Sequence, residues 1–375
     1  LDSRPLPAPT HIQPLPSDET MTEPTMPDTA AHTADAGLQR TLERHPRPLG
    51  GDTARTAGKP LLSLGGMVIN NDEHAHNLQV RRKPGWIRQR MPGGDEYARV
   101  KQIVGHHKLH TVCEEAACPN IGECWNRGTA TIMILGDTCT RSCGFCNVKT
   151  GKPQPPDFDE PRRVAESLAL MKLNHVVITC VDRDDLPDGG AAIWADTVNL
   201  THDACPWMSV EILTGDFKGN PRDIETVCDS RPEIIAHNLE TVDRMHPTVR
   251  PQARYQRSID VLRQFKAAGL VTKTSIMVGI GERDEEVLTL MDDLRDACDI
   301  DILTIGQYLQ PTRNHLPIDR WVTPEQFEMY REEGLARGFK VVESGPLVRS
   351  SYHAEEQAAK LANFQHLDPE HRNAR

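Results

Sequence analysis

From about Thr129 the chain alternates between short apolar runs and helical stripes. Thr131-Ile-Met-Ile-Leu135 is a run of strand formers, and Val164, Leu168 and Met171 then recur at the spacing of one helix face. His175 to Thr179, Met208 to Leu213, Glu233 to Ala236, Val271 to Val278 and Asp301 to Ile305 read as further strands. Ile259, Leu262 and Phe265 mark a helix that stops at Gly269, and Val287, Leu290, Met291 and Leu294 mark another. Such alternation predicts right-handed βαβ units and a parallel sheet. Six units fit an α/β fold, a partial (β/α)6 TIM-like barrel over residues 129–310. A doubly wound open sheet satisfies the same periodicity. Beyond it, Thr323-Pro324-Glu325-Gln326 predicts a helix start, with Thr323 as cap and Gln326 closing a capping box. That helix is expected to end near Gly338, followed by a short strand at Lys340 to Glu343.

The flanks change the picture in two ways. Residues 1–60 are rich in Pro, Thr, Ala and Asp without apolar period, which predicts a disordered extension. Asp2, Asp18 and Glu19 argue against an acid-poor transit peptide, and Met21 or Met26 are alternative starts. Residues 61–128 form an N-terminal segment and 311–375 a C-terminal extension. The formal net charge of -11 disfavours nucleic-acid partners, although Arg81-Arg82-Lys83 offers a local basic patch. No apolar run approaches the roughly 20 residues of a membrane span, so no membrane insertion is expected.

Cysteine carries the chemistry. Six of the ten cysteines fall between Cys113 and Cys146, and the start shows no secretory signal. Clustered cysteines then point to metal or redox chemistry in a reducing, cytoplasmic setting rather than to disulfides. Cys139, Cys143 and Cys146 follow directly after the first barrel strand, and loops after strands line a barrel's active face. Three thiolates hold a cubane cluster by three of its four irons, leaving one open to a substrate or cofactor. Arg141 adds positive charge beside it, and Ser142 and Gly144 permit a tight wrap. A zinc site is the bland alternative, but zinc favours four closed ligands at paired spacings. Cys113, Cys118 and Cys124 form a second triplet that also lacks a fourth cysteine. Cys180, Cys205, Cys228 and Cys298 form no spaced set.

The C-x-x-x-C-x-x-C triplet before alternating strands and helices resembles the radical S-adenosylmethionine superfamily. That resemblance implies a cofactor chelated by the open iron and cleaved to a radical that abstracts hydrogen. The stretch from Lys83-Pro-Gly-Trp86 through Trp125, with both triplets and Arg349-Ser-Ser-Tyr-His353, resembles the lipoyl synthase family over about Arg81 to Ala358. The resemblance implies two [4Fe-4S] clusters and S-adenosyl-L-methionine as cofactors. Residues 61–128 become an auxiliary-cluster segment, with Ser351 as the oxygen ligand that completes Cys113, Cys118 and Cys124. It implies insertion of two sulfur atoms at C6 and C8 of a protein-bound octanoyl group, drawn from that auxiliary cluster. The implied partners are octanoylated lipoyl carrier proteins, meaning lipoyl domains of 2-oxoacid dehydrogenases and the glycine cleavage H protein. An electron donor and an iron–sulfur assembly or carrier protein join them. Thr179, Asp182, Arg183, Glu211, Asn238 and Gln307 are expected at the cofactor's polar groups, with backbone near Gly279 and Gly281 beside the adenosine. Arg349 is expected to act on Ser351. Gly215 and Cys180 depart from the family pattern, where proline and serine are usual. A methylthio-inserting enzyme and an iron–sulfur carrier are the rival readings. Neither rival explains the Arg-Ser-Ser-Tyr run.

Overall fold

The apolar runs form strands that pair in chain order. The structure, a computed structural model, describes residues 63–64, 67–68, 83–87, 93–106, 110–115, 118, 120–127 and 129–361. The expectations for residues 1–60 and for Arg81-Arg82 lie outside these. The main sheet runs β1 (His110–Thr111), β2 (Thr129–Ile134), β3 (His175–Cys180), β4 (Ser209–Leu213), β5 (Ile234–Ala236), β6 (Val271–Val278), β7 (Ile302–Gln307) and β8 (Val341–Gly345), each beside the next. β2 through β8 are parallel, and β1 is antiparallel to β2. Between the parallel strands lie α3 (Glu160–Met171), α4 (Ala191–Ala204), α5 (Pro221–Asp229), α6 (Tyr255–Ala267), α7 (Asp284–Cys298) and α8 (Pro324–Ala336). α1 (Asp95–His106) and α2 (Ile121–Asn126) precede β2, and α9 (Ala354–Leu361) follows β8. Sequential order with right-handed crossovers puts α3 to α8 on one face of the sheet. Among the described residues β8 does not pair back onto β2, so the sheet is an open barrel rather than a doubly wound sheet.

The helix stripes read from the sequence are the buried faces. Val164, Leu168 and Met171, Ile259, Leu262 and Phe265, and Val287, Leu290, Met291 and Leu294 are all 3% exposed or less. Each such side chain contributes about 1.5–3 kcal/mol on burial. α6 ends before Gly269, which takes φ 75° as the helix stop requires. Two local expectations need revision. The segment at Lys340 to Glu343 is a seventh parallel strand, in register with β7 from Ile302↔Val341 to Gly306↔Gly345. Thr323 does cap α8, its hydroxyl accepting from Gln326 N at 3.3 Å, but the box is not closed. The Gln326 amide donates to Asp284 instead, because α7 packs alongside.

Register fixes what faces inward. Residues paired across parallel strands point the same way. Thr129 pairs with His175 and His175 with Ser209; Thr131 pairs with Val177, Val177 with Glu211 and Glu211 with Ile234. Ile234, Val271, Ile302 and Val341 form an apolar cluster with Ala358 of α9, which therefore packs on the face away from the other helices. This inner face also carries charge. Lys273 Nζ donates to Glu211 Oε1 at 2.8 Å, with both side chains 1% exposed.

Candidate functional site

The first triplet is assembled where β1 turns back along β2. A single helical turn, Val112–Glu115, carries Cys113; the Cys118 N–H donates to Cys113 O at 3.0 Å, and Cys124 N donates to Asn120 O at 3.0 Å within α2. The three thiols are close enough to raise one another's pKa values. Burial dominates, pushing Cys113 up to about 11 and raising Cys118 and Cys124 as well. The buried Trp125 indole N–H has no hydrogen-bond partner and lies toward Cys113.

The C-terminal segment closes over this triplet. Asn120 Nδ2 donates to Leu347 O at 2.7 Å, and Thr129 Oγ1 donates to Glu355 Oε2 at 2.8 Å. Arg127 bridges Glu355 and Glu356, and His353 Nε2 contacts Glu123 at 3.0 Å. Ser351 is thereby brought to Thr131, its Oγ accepting from Thr131 Oγ1 at 3.0 Å, and Thr131 in turn approaches Cys113. Arg349 lies near enough to Cys118 to favour its thiolate, and donates to Val348 O at 2.6 Å. Gly306 admits this segment, since a Cβ there would sit 2.1 Å from Val348 O.

The second triplet occupies the loop after β2. Cys139 Sγ accepts from Arg141 N at 3.4 Å and Asp182 N at 3.3 Å, an arrangement suited to anionic sulfur. Gly144 N donates to Val249 O at 2.9 Å, and Leu316 N donates to Gly144 O at 2.9 Å. A Cβ on Gly144 would meet Leu316 at 2.9 Å, so the wrap needs the missing side chain. His315 Nε2 donates to Cys146 O at 2.9 Å. Burial pushes Cys143 up to about 12 and Cys146 up to about 11, and raises Cys139.

Buried, protonated thiols are poor ligands, and binding iron offsets that penalty by releasing their protons. Among the described residues no three Cys, His, Asp or Glu side chains converge on a single-ion site. A polynuclear cluster takes each thiolate on a separate iron, and three cysteines gathered by one segment are a donor set of that kind.

The remaining residues divide. Asp182 and Glu240 surround the second triplet with carboxyls raised by burial, and Asn238 donates to Glu240 at 3.0 Å while its Oδ1 has no partner. Asp182 fits because Gly215 faces it; a Cβ there would lie 2.5 Å from its Oδ1, so the usual proline would displace it. Five other expectations meet competing bonds. Glu211 is paired with Lys273. The Gly279, Ile280 and Gly281 N–H groups, at a turn where Gly279 has φ 88° and Gly281 φ 127°, all donate to Glu282 at 2.7–3.2 Å. The turn's amides are thus satisfied within the chain. The Gln307 amide donates to Val278, Tyr308 and Arg320 carbonyls and accepts from Val322 N at 2.8 Å. Thr179 Oγ1 donates to Leu213 O at 3.0 Å, and Arg183 binds Leu135 O, Gln154 O and Asp185. Arg141 favours the Cys139 thiolate as expected, although Asp182, Asp184 and Asp216 surround it at 2.6–3.5 Å and offset much of its charge. The cation that favours the Cys143 thiolate is Arg250, whose Nε is buried without a partner. Sequence reasoning missed Arg250 and Glu240, which sit in stretches with no distinctive spacing, and took Thr131 only as part of a strand.

Residues 133–294 match the Radical SAM superfamily, and residues 68–118 match the N-terminal domain of lipoyl synthase of the Radical SAM family. The chain is 56% identical to a lipoyl synthase of Rubrobacter xylanophilus over 277 residues, 73% of this chain and 86% of that one. It is 53% identical to a mitochondrial lipoyl synthase of Nematostella vectensis, over 73% of this chain and 94% of that one. Among solved structures, Streptococcus suis SuiB bound to S-adenosylmethionine is 14% identical with a TM-score of 0.45, covering 61% of this chain and 54% of that one. That likeness adds nothing to the topology already described. With both triplets in place and identity above half across most of its relatives' length, the chain belongs to the lipoyl synthase family of radical S-adenosylmethionine enzymes.

Proposed function

We propose that the chain converts a carrier-bound octanoyl group to lipoyl by inserting sulfur at C6 and C8, and that its two triplets divide the labour. Cys139, Cys143 and Cys146 hold the [4Fe-4S] cluster that binds S-adenosyl-L-methionine. Cys113, Cys118 and Cys124 hold the auxiliary [4Fe-4S] cluster, with Ser351 as fourth ligand. One observation carries this reading: two separate groups of three largely covered thiols, one of them beside Thr131, whose hydroxyl also meets Ser351 from a distant segment. When bound, the clusters supply an electron for cofactor cleavage and sulfide for insertion. The protein's own part is to bury both sites from water and to compensate anionic clusters, with Arg250 at one and Arg349 at the other. Asp182, Asn238 and Glu240 are the polar groups open to the cofactor's amino, carboxylate and hydroxyl groups. A serine oxygen is a harder ligand than thiolate and holds iron less tightly, which suits a cluster that gives up its sulfur.

The partners follow from the chemistry: octanoylated carrier proteins, a one-electron donor and a protein that rebuilds the auxiliary cluster. Ten unpaired cysteines suit a reducing, cytoplasmic compartment. No helix of the described residues is long and apolar enough to cross a membrane. Anaerobic incubation with S-adenosyl-L-methionine, a reductant and an octanoylated peptide tests the reading by mass spectrometry. The expected product carries two added sulfurs, from protein holding about eight irons per chain. Cofactor cleavage without sulfur in the peptide, or about four irons, would overturn it.

A further inference from the structure

Thr131 stands where the two parts of the auxiliary site meet. Thr129 and Thr131 share the inner face of β2, and both hold the C-terminal segment, Thr129 through Glu355 and Thr131 through Ser351. Thr131 is 6% exposed, and both its hydroxyl and its backbone N–H also approach the Cys113 thiol. One residue thus serves two of the four proposed ligands: its single hydroxyl proton goes to Ser351, and its backbone N–H faces Cys113. Among the described residues, the bond from Thr131 is the one side-chain hydrogen bond that Ser351 makes.

We propose that Thr131 is a positioning residue for the auxiliary cluster, its hydroxyl aiming the Ser351 oxygen at the iron that no cysteine of the triplet reaches. This rests on the reading that Ser351 is a ligand. Two features suit Thr131 to the task. It is a β-branched residue inside a strand, so its χ1 is stiff and its hydroxyl direction is fixed. Ser351 lies instead on an irregular turn that leads into His353 at φ 53°, and gains its orientation from outside. The bond also has the right sense. A serine oxygen bound to iron as an alkoxide can only accept, and Thr131 Oγ1 is placed to donate.

The test uses full-length chain in which Cys139, Cys143 and Cys146 are replaced by alanine, so that only the auxiliary cluster is loaded. After anaerobic reconstitution, the rate at which a ferrous chelator captures the first iron is followed. Thr131→Val is expected to speed that capture about tenfold, the size of one lost hydrogen bond to a charged acceptor. Thr131→Ser is expected to restore the slow rate, and Thr131→Val is expected to add nothing in a Ser351→Ala background. Thr131→Ala replaces the valine variant if the latter does not take up iron. If the valine, alanine and serine variants release iron alike while Ser351→Ala is fast, Thr131 has no positioning role and the serine assignment stands. If Ser351→Ala itself matches the parent, the reading beneath the proposal falls.

Discussion

Lys273→Met tests the charge on the barrel's inner face. Lys273 and Glu211 are each 1% exposed and 2.8 Å apart, and His175 Nε2 lies 3.7 Å from the other Glu211 oxygen. Burial raises the Glu211 carboxyl, but Lys273 and His175 outweigh it and leave it lowered. Removing Lys273 strands a buried carboxylate, which costs about 3–5 kcal/mol. At roughly 2 °C per kcal/mol for a domain of this size, Tm should fall by about 6–10 °C. The pH dependence has a definite sign. A lowered Glu211 adds stability above the ordinary carboxylate range and loses it as pH falls through its folded value. In the variant only His175 still opposes burial, so the carboxyl rises, and acid relieves the penalty by protonating it. The gap between parent and variant should therefore narrow as pH is lowered from about 7.5 toward about 5.5. Lys273→Met with Glu211→Leu removes both charges and should recover most of the loss. Anaerobic calorimetry of the loaded proteins measures all three. An unchanged Tm in the single variant, or a gap that widens in acid, would refute the reasoning.

Two further outcomes follow from the same coordinates. Gly306→Ala places a methyl 2.1 Å from Val348 O, and a backbone atom yields only by moving the Arg349–Ser351 turn; iron analysis should drop from about eight toward about four per chain, with the Cys139 cluster retained. Arg127→Ala breaks contacts to Glu355 and Glu356, but Arg127 is 36% exposed, so the loss should be about 1 kcal/mol or less and should fade in high salt, as thermal melts at two ionic strengths would show.

Local pattern was legible and long-range pairing was not. The strands at His175 and Val271 follow from short runs of strand formers and the helix face of Val164, Leu168 and Met171 from a period of 3.6, both of which a sequence displays directly. The two triplets were visible for the same reason. Glu211 looked like a free polar group because its partner Lys273 is 62 residues away and reaches it only through sheet register. Gly279 and Gly281 looked open to a ligand, yet the Glu282 carboxylate at the end of the same turn takes their amides. Gln307 sits at a strand end as expected, but the chain from Tyr308 to Val322 folds back and uses its amide fully. Arg250 gave no local sign at all. Its importance comes from lying beside Cys143, a neighbour more than a hundred residues earlier.

The wall over the first triplet is built from the last described part of the chain, Leu347 to Glu356, bound to Asn120, Glu123, Arg127, Thr129 and Thr131. This orders the molecule's birth. A ribosome delivers Cys113, Cys118 and Cys124 more than two hundred residues before Ser351, and during that interval the three thiols stand without their cover. That site therefore gains its cover only once synthesis is complete, and a chain cut short after β8 would hold every strand of the sheet yet lack the wall over these three thiols.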